Sequence, residues 1–197
     1  MSNPLKILIA EDEHIELLGL EEMLTELGYD VIGKVMNGES LVKEAISKKP
    51  DLLVVDINLP KMSGIDAIKK INVKIFIPSI IITGYNSEET IKKANEVGVF
   101  NYLVKPVDLK ELKPAIELAF GRYNELLVLK KELKNKEEAL EARKYVEKAK
   151  GVLMEQNNLK EPQAMKLLQK MSRDKNKKLV EISKEIIEAD KMLHYDY

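Results

Sequence analysis

Several polar side chains that could do chemistry follow directly on apolar runs in the first half of the chain. In the run LLVVD, four branched aliphatic residues are followed at once by Asp56. Glu11 and Asp12 follow the run KILIA in the same way. Thr83 ends the run SIIIT, and Lys105 ends the run NYLVK. In an open parallel sheet, functional side chains gather beyond the carboxyl ends of the strands, so we expect these five residues to meet at one edge.

Three carboxylates, one hydroxyl group and one ammonium group at one edge predict a site for phosphoryl transfer. Clustered carboxylates repel each other, and a hard divalent cation such as Mg²⁺, which takes oxygen ligands, relieves that repulsion. One carboxylate can then attack a phosphoryl group as a nucleophile, while Lys105 and Thr83 neutralise the transferred oxygens. Each residue alone also fits a helix cap, a turn or a solvated surface. Their recurrence at successive strand ends favours a shared site.

An aspartate nucleophile at a strand end also occurs in phosphatases of the haloacid dehalogenase type. These enzymes need a second aspartate two residues further on, which serves as acid and base. Asn58 occupies that position here, and an amide cannot donate and accept a proton in that role. We therefore expect a phosphoacceptor protein that is not an enzyme.

The elements that would position these side chains alternate between apolar runs and segments of helical period. Strands are predicted at 6–10, 30–35, 51–56, 79–83 and 101–105, and helices near 13–27, 38–48, 63–70 and 87–97. The runs around Leu8, Val54 and Ile81 are apolar throughout, which is typical of strands covered on both faces. Five β–α units predict an α/β fold, a doubly wound five-stranded parallel sheet with helices on both sides.

The second half of the chain has a helical pattern throughout. A long helix is predicted from Asp108, where DLKE has the spacing of a capping box, to the sequence QNN at 156–158. Pro114 predicts either a kink or a later start of this helix. Leu133 and Leu140 continue a weak seven-residue repeat that begins at Leu126, and we interpret the repeat as a dimer-forming connector.

Two shorter amphipathic helices follow, near 161–173 and 177–193. Together with the end of the long helix, they predict a small all-α domain of three helices. We therefore divide the chain into a sheet domain over 1–120, a helical connector over 121–137 and a helical domain over 138–197.

The composition excludes several classes of protein. The chain of 197 residues has no cysteine and only two histidines, which excludes disulfides, thiolate metal sites and a histidine-rich metal centre. No stretch approaches the roughly 20 uninterrupted apolar residues of a membrane helix. The N-terminus has no charged leader with a cleavage site. We expect a cytoplasmic protein that does not enter a membrane.

The charge differs between the two halves. Residues 1–120 carry 14 basic and 19 acidic side chains, a net charge of −5, and residues 121–197 carry 18 and 14, a net charge of +4. Residues 148–178 alone carry nine basic and three acidic side chains. Such a run usually forms a solvated face, but a basic module beside an acidic one also fits a polyanionic partner.

The segments ILIAEDE, VVDINLPKMSG, IIITGY and NYLVKP closely resemble the receiver domain of bacterial response regulators, which has a flavodoxin-like fold. The resemblance covers about residues 5–120. It implies that Asp56 accepts a phosphoryl group from a sensor histidine kinase. It also implies an Mg²⁺ site, whose ligands would be Glu11, Asp12, Asp56 and the carbonyl group of Asn58.

The same resemblance implies a conformational switch. Thr83 and Lys105 would bind the phosphoryl group, and Tyr102 would turn inward as Thr83 moves toward the phosphate. The peptide bond before Pro106 would be cis, a geometry that proline makes accessible.

The segment AKGVLMEQNNLKEPQAMKLLQKMSRDKNKKLVEIS resembles the ANTAR domain, an RNA-binding antiterminator module that is often attached to receivers. The resemblance covers about residues 138–192. One departure is Lys160, where a small capping residue often stands, and it predicts a looser start of the helix that follows. The resemblance implies that the chain binds hairpins in a structured leader RNA and controls transcription by antitermination.

Polar and basic residues of this segment are candidates for RNA contact. They are Lys148, Lys150, Gly151, Arg173, Lys175, Asn176, Lys177 and Lys178. The apolar residues Leu153, Met154, Ala164, Leu168 and Leu179 are interpreted as the core of the helical domain. A glycine inside a helix costs about 1 kcal/mol relative to alanine, so at Gly151 we expect close approach of another helix or backbone.

Two functions remain open for the helical half. One is RNA binding by a homodimer that forms at least when the receiver is phosphorylated. The alternative is an adaptor that docks proteins or dimerises under phosphorylation control and binds no nucleic acid.

Overall fold

A computed structural model describes residues 4–84, 92, 94 and 97–194 of the chain. The chain forms two compact units, and the division between them falls between Leu127 and Val128.

The first unit is built on a parallel sheet of five strands in the order β2-β1-β3-β4-β5. The strands are β1 (Lys6–Ala10), β2 (Asp30–Val35), β3 (Leu52–Asp56), β4 (Ser79–Thr83) and β5 (Val99–Val104). Apart from Lys6, every residue of β1, β3 and β4 is buried. This confirms the prediction of a parallel sheet whose apolar central strands are covered on both faces.

Helices cover both faces of this sheet. They are α1 (His14–Glu26), α2 (Gly38–Lys48), α3 (Gly64–Lys74) and the start of α4 (Leu109–Asn157). Successive residues of a strand point to opposite faces, and accordingly Leu8 packs with α2 and α3 while Ile7 and Ile9 pack with α1 and α4. The helix predicted at 87–97 lies largely outside the described residues.

The long helix α4 begins directly after Asp108. The side chain of Asp108 accepts a hydrogen bond of 2.9 Å from the backbone N–H of Glu111, which is the cap that the DLKE pattern predicts. Pro114 lies inside the helix, so the expected alternative of a later start is wrong. The helix ends at Asn157, and Asn158 takes a left-handed conformation with φ 50°.

The second unit consists of the end of α4 together with α5 (Glu161–Asp174) and α6 (Leu179–His194). Its buried core contains Ala149, Leu153, Ala164, Leu168 and Ile182, and Met154 and Leu179 pack against it half-buried. The predicted three-helix core is therefore confirmed. No helix in the described part of the chain has both the length and the apolar composition of a membrane span.

Lys160 precedes α5 and gives no side-chain cap, as its residue type suggests. The side chain of Gln163 instead accepts a hydrogen bond of 2.9 Å from the backbone N–H of Lys160. Pro162 occupies the first turn, where its missing N–H costs nothing. The start of α5 is thus fixed by its own first turn.

Candidate functional site

Three carboxylates lie together at the carboxyl end of the sheet. Glu11 and Asp12 directly follow β1, and Asp56 is the last residue of the neighbouring strand β3. One oxygen atom from each carboxylate lies within 4.8 Å of the others. Glu11 is fully buried and Asp56 nearly so. The rigid strands therefore deliver negative charge to a place with little water.

Lys105 follows β5 and extends its ammonium group into this cluster. Its Nζ lies 2.9 Å from Oε2 of Glu11 and 3.1 Å from Oδ2 of Asp56. A further ion pair joins Lys105 to Glu16 in the first turn of α1. The backbone N–H of Lys105 donates a hydrogen bond of 2.9 Å to the carbonyl oxygen of Thr83, which fixes the lysine at the end of the sheet.

The electrostatics of the site follow from burial and from this lysine. Burial raises the pKa of Glu11, and the neighbouring Lys105 opposes that rise. Burial by itself would lower the pKa of Lys105, but hydrogen bonds to the surrounding carboxylates outweigh it and raise that pKa. Lys105 is therefore a permanent cation at neutral pH.

The remaining predicted receiver residues lie beside this cluster. Thr83 is the last residue of β4 and is buried. The peptide bond between Lys105 and Pro106 is cis, as the resemblance implies. Tyr102 lies in β5 and is 40 % exposed. Its inward turn stays a prediction.

Two residues that sequence reasoning missed shape the site. Glu16 is one, because its side chain crosses from α1 to Lys105. Gly64, at the start of α3, is the other: a Cβ atom there would lie 2.1 Å from the carbonyl oxygen of Asp56 and 2.7 Å from Cγ1 of Val55. Such distances leave no space for a side chain, so only glycine lets α3 begin this close to the end of β3. In the sequence, Gly64 lies only at the start of the helix predicted near 63–70, and the pattern does not reveal this close approach.

In the second unit, Lys150 is held inside the domain. The residue is 7 % exposed, and its Nζ lies 2.8 Å from Glu147 and 2.7 Å from Glu161. These two hydrogen bonds raise the pKa of Lys150. Glu147 lies on α4 together with Lys150, whereas Glu161 is the first residue of α5, so the second contact joins α4 to α5. This placement favours a structural role for Lys150 over the RNA contact that the basic sequence predicts.

The turn between α5 and α6 presents several of the other candidates. Lys175 and Lys177 both pair with Glu185 of α6, at 3.1 Å for Lys175. Asn176, between them, has a left-handed backbone with φ 51°. The hydroxyl group of Ser172 donates a hydrogen bond of 2.6 Å to the carbonyl oxygen of Lys177. The turn is therefore ordered by its own contacts.

Lys148, Arg173 and Lys178 are exposed to solvent. At Gly151, a Cβ atom would find no neighbouring atom within 4 Å among the described residues. The expected close approach of another helix or backbone is therefore wrong for the part of the chain that the structure describes. The packing of this unit does not require a glycine at that position.

The family comparison agrees with the geometry of the first unit. The model of the response regulator receiver domain matches residues 7–117, more than half of the chain. The chain is a response regulator. A second model, of the ANTAR domain, matches residues 134–187 of this response regulator and so includes its helical unit from α4 to most of α6.

Related proteins match either nearly the whole chain or only its first half. The transcriptional regulatory protein PdtaR of Mycobacterium tuberculosis is 37 % identical over 186 residues, which are 94 % of this chain and 91 % of the relative. The chemotaxis protein CheY of Treponema pallidum is 35 % identical and covers 55 % of this chain and 78 % of its own length. The resemblance to PdtaR thus extends beyond the receiver.

Solved receiver structures have the same fold as the first unit. The signal receiver domain of a modulated diguanylate cyclase from Desulfovibrio desulfuricans G20 is 35 % identical, with a TM-score of 0.57 over 61 % of this chain and 96 % of that one. A chain of the CheX–CheY–beryllofluoride–magnesium complex from Borrelia burgdorferi is 25 % identical, with a TM-score of 0.54 over 57 % of this chain and 87 % of that one. Both matches support the flavodoxin-like fold of the receiver.

The residues of this response regulator fit a magnesium ion. Three carboxylates offer hard oxygen ligands within 4.8 Å of one another, which is the ligand type that Mg²⁺ prefers. Oε2 of Glu11 is buried without a well-aligned hydrogen bond, although Nζ of Lys105 lies 2.9 Å away. The backbone N–H of Asn58 donates to Oδ1 of Asp56 at 3.3 Å. A ligand role for the Asn58 carbonyl stays a prediction.

Proposed function

We propose that this response regulator is phosphorylated on Asp56 by a sensor histidine kinase and controls transcription by binding RNA hairpins in nascent transcripts. The observation that carries the proposal is a cluster of three carboxylates beside Lys105 in a receiver domain that shares one chain with an ANTAR domain. The similarity to a transcriptional regulatory protein over nearly the whole length supports it.

The first step is transfer of a phosphoryl group to Asp56. An oxygen of the Asp56 carboxylate attacks phosphorus and forms an acyl phosphate. The bond between phosphorus and the donor breaks, and the donor group leaves with the electron pair of that bond. Lys105 offers a permanent positive charge at the end of β5, where it neutralises the oxygens of the phosphoryl group. A magnesium ion held by Glu11, Asp12 and Asp56 would add two positive charges to the same site.

The second step is a change in the helical half. The phosphoryl group adds a charge of roughly −1.5 to −2, and we propose that the change at Thr83 and Tyr102 alters pairing of two chains through α4. Leu129, Leu133 and Leu140 of α4 are all more than half exposed. A row of exposed leucines on a helix supports a homodimeric connector.

The third step is RNA binding by the helical unit. Arg173, Lys178 and Lys148 are exposed cations, and Asn176 at the tip of the turn offers an amide for a base edge. Aromatic side chains for base stacking are scarce in this half, so contacts to phosphates and through arginine are favoured over a stacking platform. RNA binding would then stabilise an antiterminator hairpin. This function requires a cytoplasmic protein, which we also propose.

Crosslinking of the chain to cellular RNA, followed by sequencing, tests the proposal directly. We expect enrichment of structured leader transcripts, and stronger enrichment when a phosphodonor is present. The control is the Asp56→Asn variant, which should show no response to the donor. An absence of transcript enrichment both with and without the phosphodonor would contradict the RNA function.

A salt titration of RNA binding separates RNA recognition from an adaptor role. An RNA binder should weaken with salt, with log K falling by about 0.7 per log unit of salt for each phosphate contacted on single strands. A chain that binds no structured leader RNA at any salt concentration, yet changes its oligomeric state on phosphorylation, would be a protein-docking adaptor.

A further inference from the structure

The ammonium group of Lys105 lies among three carboxylates. Oxygens of Glu11, Asp56 and Glu16 all lie within 3.1 Å of its Nζ. An ammonium group has three N–H donors. Each donor of Lys105 therefore has a carboxylate within reach before any phosphoryl group arrives, and an incoming phosphoryl oxygen competes with these carboxylates for the lysine.

Glu16 differs from the other two partners in burial. Its side chain is 39 % exposed, whereas the side chains of Glu11 and Asp56 are 0 % and 6 % exposed. A half-exposed carboxylate regains water when it is released, so its ion pair is weaker than a buried one and cheaper to break. Glu16 is therefore the partner that Lys105 can most readily leave.

The space beside Lys105 gives it room to move. A cavity of about 160 Å³ is lined by Lys105, Glu16, Gly19, Leu20 and Met23, together with Ile82, Pro106 and Val107. The lysine is held at its backbone by Thr83. Movement of Lys105 would thus be confined to the side chain.

The charge of the site also sets Glu16 apart. Glu11, Asp12 and Asp56 carry three negative charges, and Lys105 carries one positive charge, so a divalent cation balances these four residues. Glu16 adds a negative charge beyond that balance. Phosphoryl donors are anions, and a like charge next to the acceptor raises the free energy of their approach.

We propose that Glu16 is a positioning residue that holds Lys105 back from the phosphoryl group and so slows phosphorylation of Asp56. The inference rests on the proposed phosphorylation of Asp56. As the acyl phosphate forms, the Asp56 carboxylate loses its charge, and Lys105 exchanges Glu16 for a phosphoryl oxygen. The carboxylate of Glu16 is then solvated by water, and the ammonium group of Lys105 forms an ion pair with the phosphoryl group on Asp56.

The test is the rate at which acyl phosphate forms at Asp56 with acetyl phosphate and magnesium, followed by intact mass spectrometry. Attack of Asp56 on phosphorus releases acetate, so the chain gains one phosphoryl group. Glu16→Gln keeps the size of the side chain and removes its charge, and we expect the rate to rise roughly two- to fivefold, the range of a partly exposed ion pair. Glu22→Gln, an exposed residue on the same helix, is the matched control and should leave the rate unchanged.

A double-mutant cycle with Lys105→Ala shows whether Glu16 acts through the lysine. In the Lys105→Ala background, Glu16→Gln should no longer change the rate. If that background accumulates too little acyl phosphate to measure, the same cycle is read from the melting temperature of the unphosphorylated chain, where the coupling of the ion pair should also be lost.

The possible results distinguish phosphorylation of Asp56 from the proposed role of Glu16. A native chain that gains no phosphoryl group at Asp56 overturns the proposed function. A native chain that is phosphorylated, with Glu16→Gln equally fast or slower, overturns only the role of Glu16. An equal acceleration with and without Lys105 would also overturn it, because the charge would then act without the lysine.

Discussion

The receiver site and the turn between α5 and α6 both place lysines beside carboxylates, yet they differ in burial. The side chain of Lys105 is 18 % exposed, whereas those of Lys175 and Lys177 are 53 % and 49 % exposed. Salt and water screen exposed ion pairs, and their free energy is small. The receiver lysine is therefore shielded among carboxylates of its own chain, while the lysines of the turn lie in water and can exchange Glu185 for another anion.

The glycines of the two regions differ in the same way. Gly64 has the Asp56 backbone directly against it, so the chain itself requires a glycine there. Gly151 has open space around its missing Cβ among the described residues, so the chain carries the cost of a helical glycine without an internal reason. The receiver site is explained by its own packing, and the helical unit has features that point to a partner.

The largest effect is expected from Gly64→Ala. A Cβ atom 2.1 Å from the Asp56 carbonyl oxygen must displace the strand that carries the acceptor, and overpacking of this kind costs about 1–3 kcal/mol or more. We expect a lower urea midpoint and slower phosphorylation of Asp56. Hydrogen exchange should show the loss of protection in β3 and α3. An unchanged receiver would break the contrast with Gly151.

Magnesium should stabilise the receiver and leave the helical unit unchanged. At 100 times its dissociation constant, a ligand that binds only the folded state stabilises by about 2.7 kcal/mol. Asp12→Asn removes one carboxylate of the cluster and should abolish most of the rise in melting temperature on adding MgCl₂. Asp30→Asn, at the opposite end of the sheet, serves as the control and should keep the full rise.

Gly151→Ala should have opposite effects on stability and on RNA binding. Alanine in a helix interior is favoured over glycine by about 1 kcal/mol, and no described atom beyond the adjacent residues and the nearby backbone of the same helix lies within 4 Å of the new Cβ atom. We expect a higher melting temperature of the helical unit and weaker binding to leader RNA in a mobility-shift assay. A stabilised variant with unchanged RNA affinity would remove Gly151 from the RNA surface.

The smallest effect is expected from Glu185→Gln. This change frees Lys175 and Lys177 from their shared carboxylate, so RNA phosphates no longer compete with it. We expect affinity for leader RNA to rise roughly two- to fivefold at low salt, the range of exposed ion pairs. Glu188→Gln, an exposed residue on the same helix, is the control. Lower affinity in Glu185→Gln would mean that the carboxylate orders the turn for binding.

The sequence predicted the sheet and most of the receiver site because both depend on local patterns. Apolar runs marked the strands, and the polar residue after each run marked the edge where strands end. The sequence pattern did not indicate Glu16 as a site residue, because its role depends on the reach of one side chain from α1 to the end of β5. The sequence pattern did not indicate why position 64 requires glycine, because the distance between α3 and Asp56 depends on the tertiary structure.

The helical half was harder to predict at the level of single residues. Its leucine and alanine spacing identified the core correctly, since burial follows the helical period. A basic run, in contrast, does not reveal which lysines are paired. Lys150 has the same sequence context as its exposed neighbours, and only the approach of α5 brings Glu161 to it.

The most direct test of the account is peptide-resolved mass spectrometry of the full chain after incubation with magnesium and acetyl phosphate. We predict one acyl phosphate per chain, on Asp56, which disappears in Asp56→Asn and does not form when magnesium is chelated. A chain that gains no phosphoryl group, or gains it on another side chain, would contradict the assignment of the buried carboxylate and lysine cluster as the phosphoacceptor site.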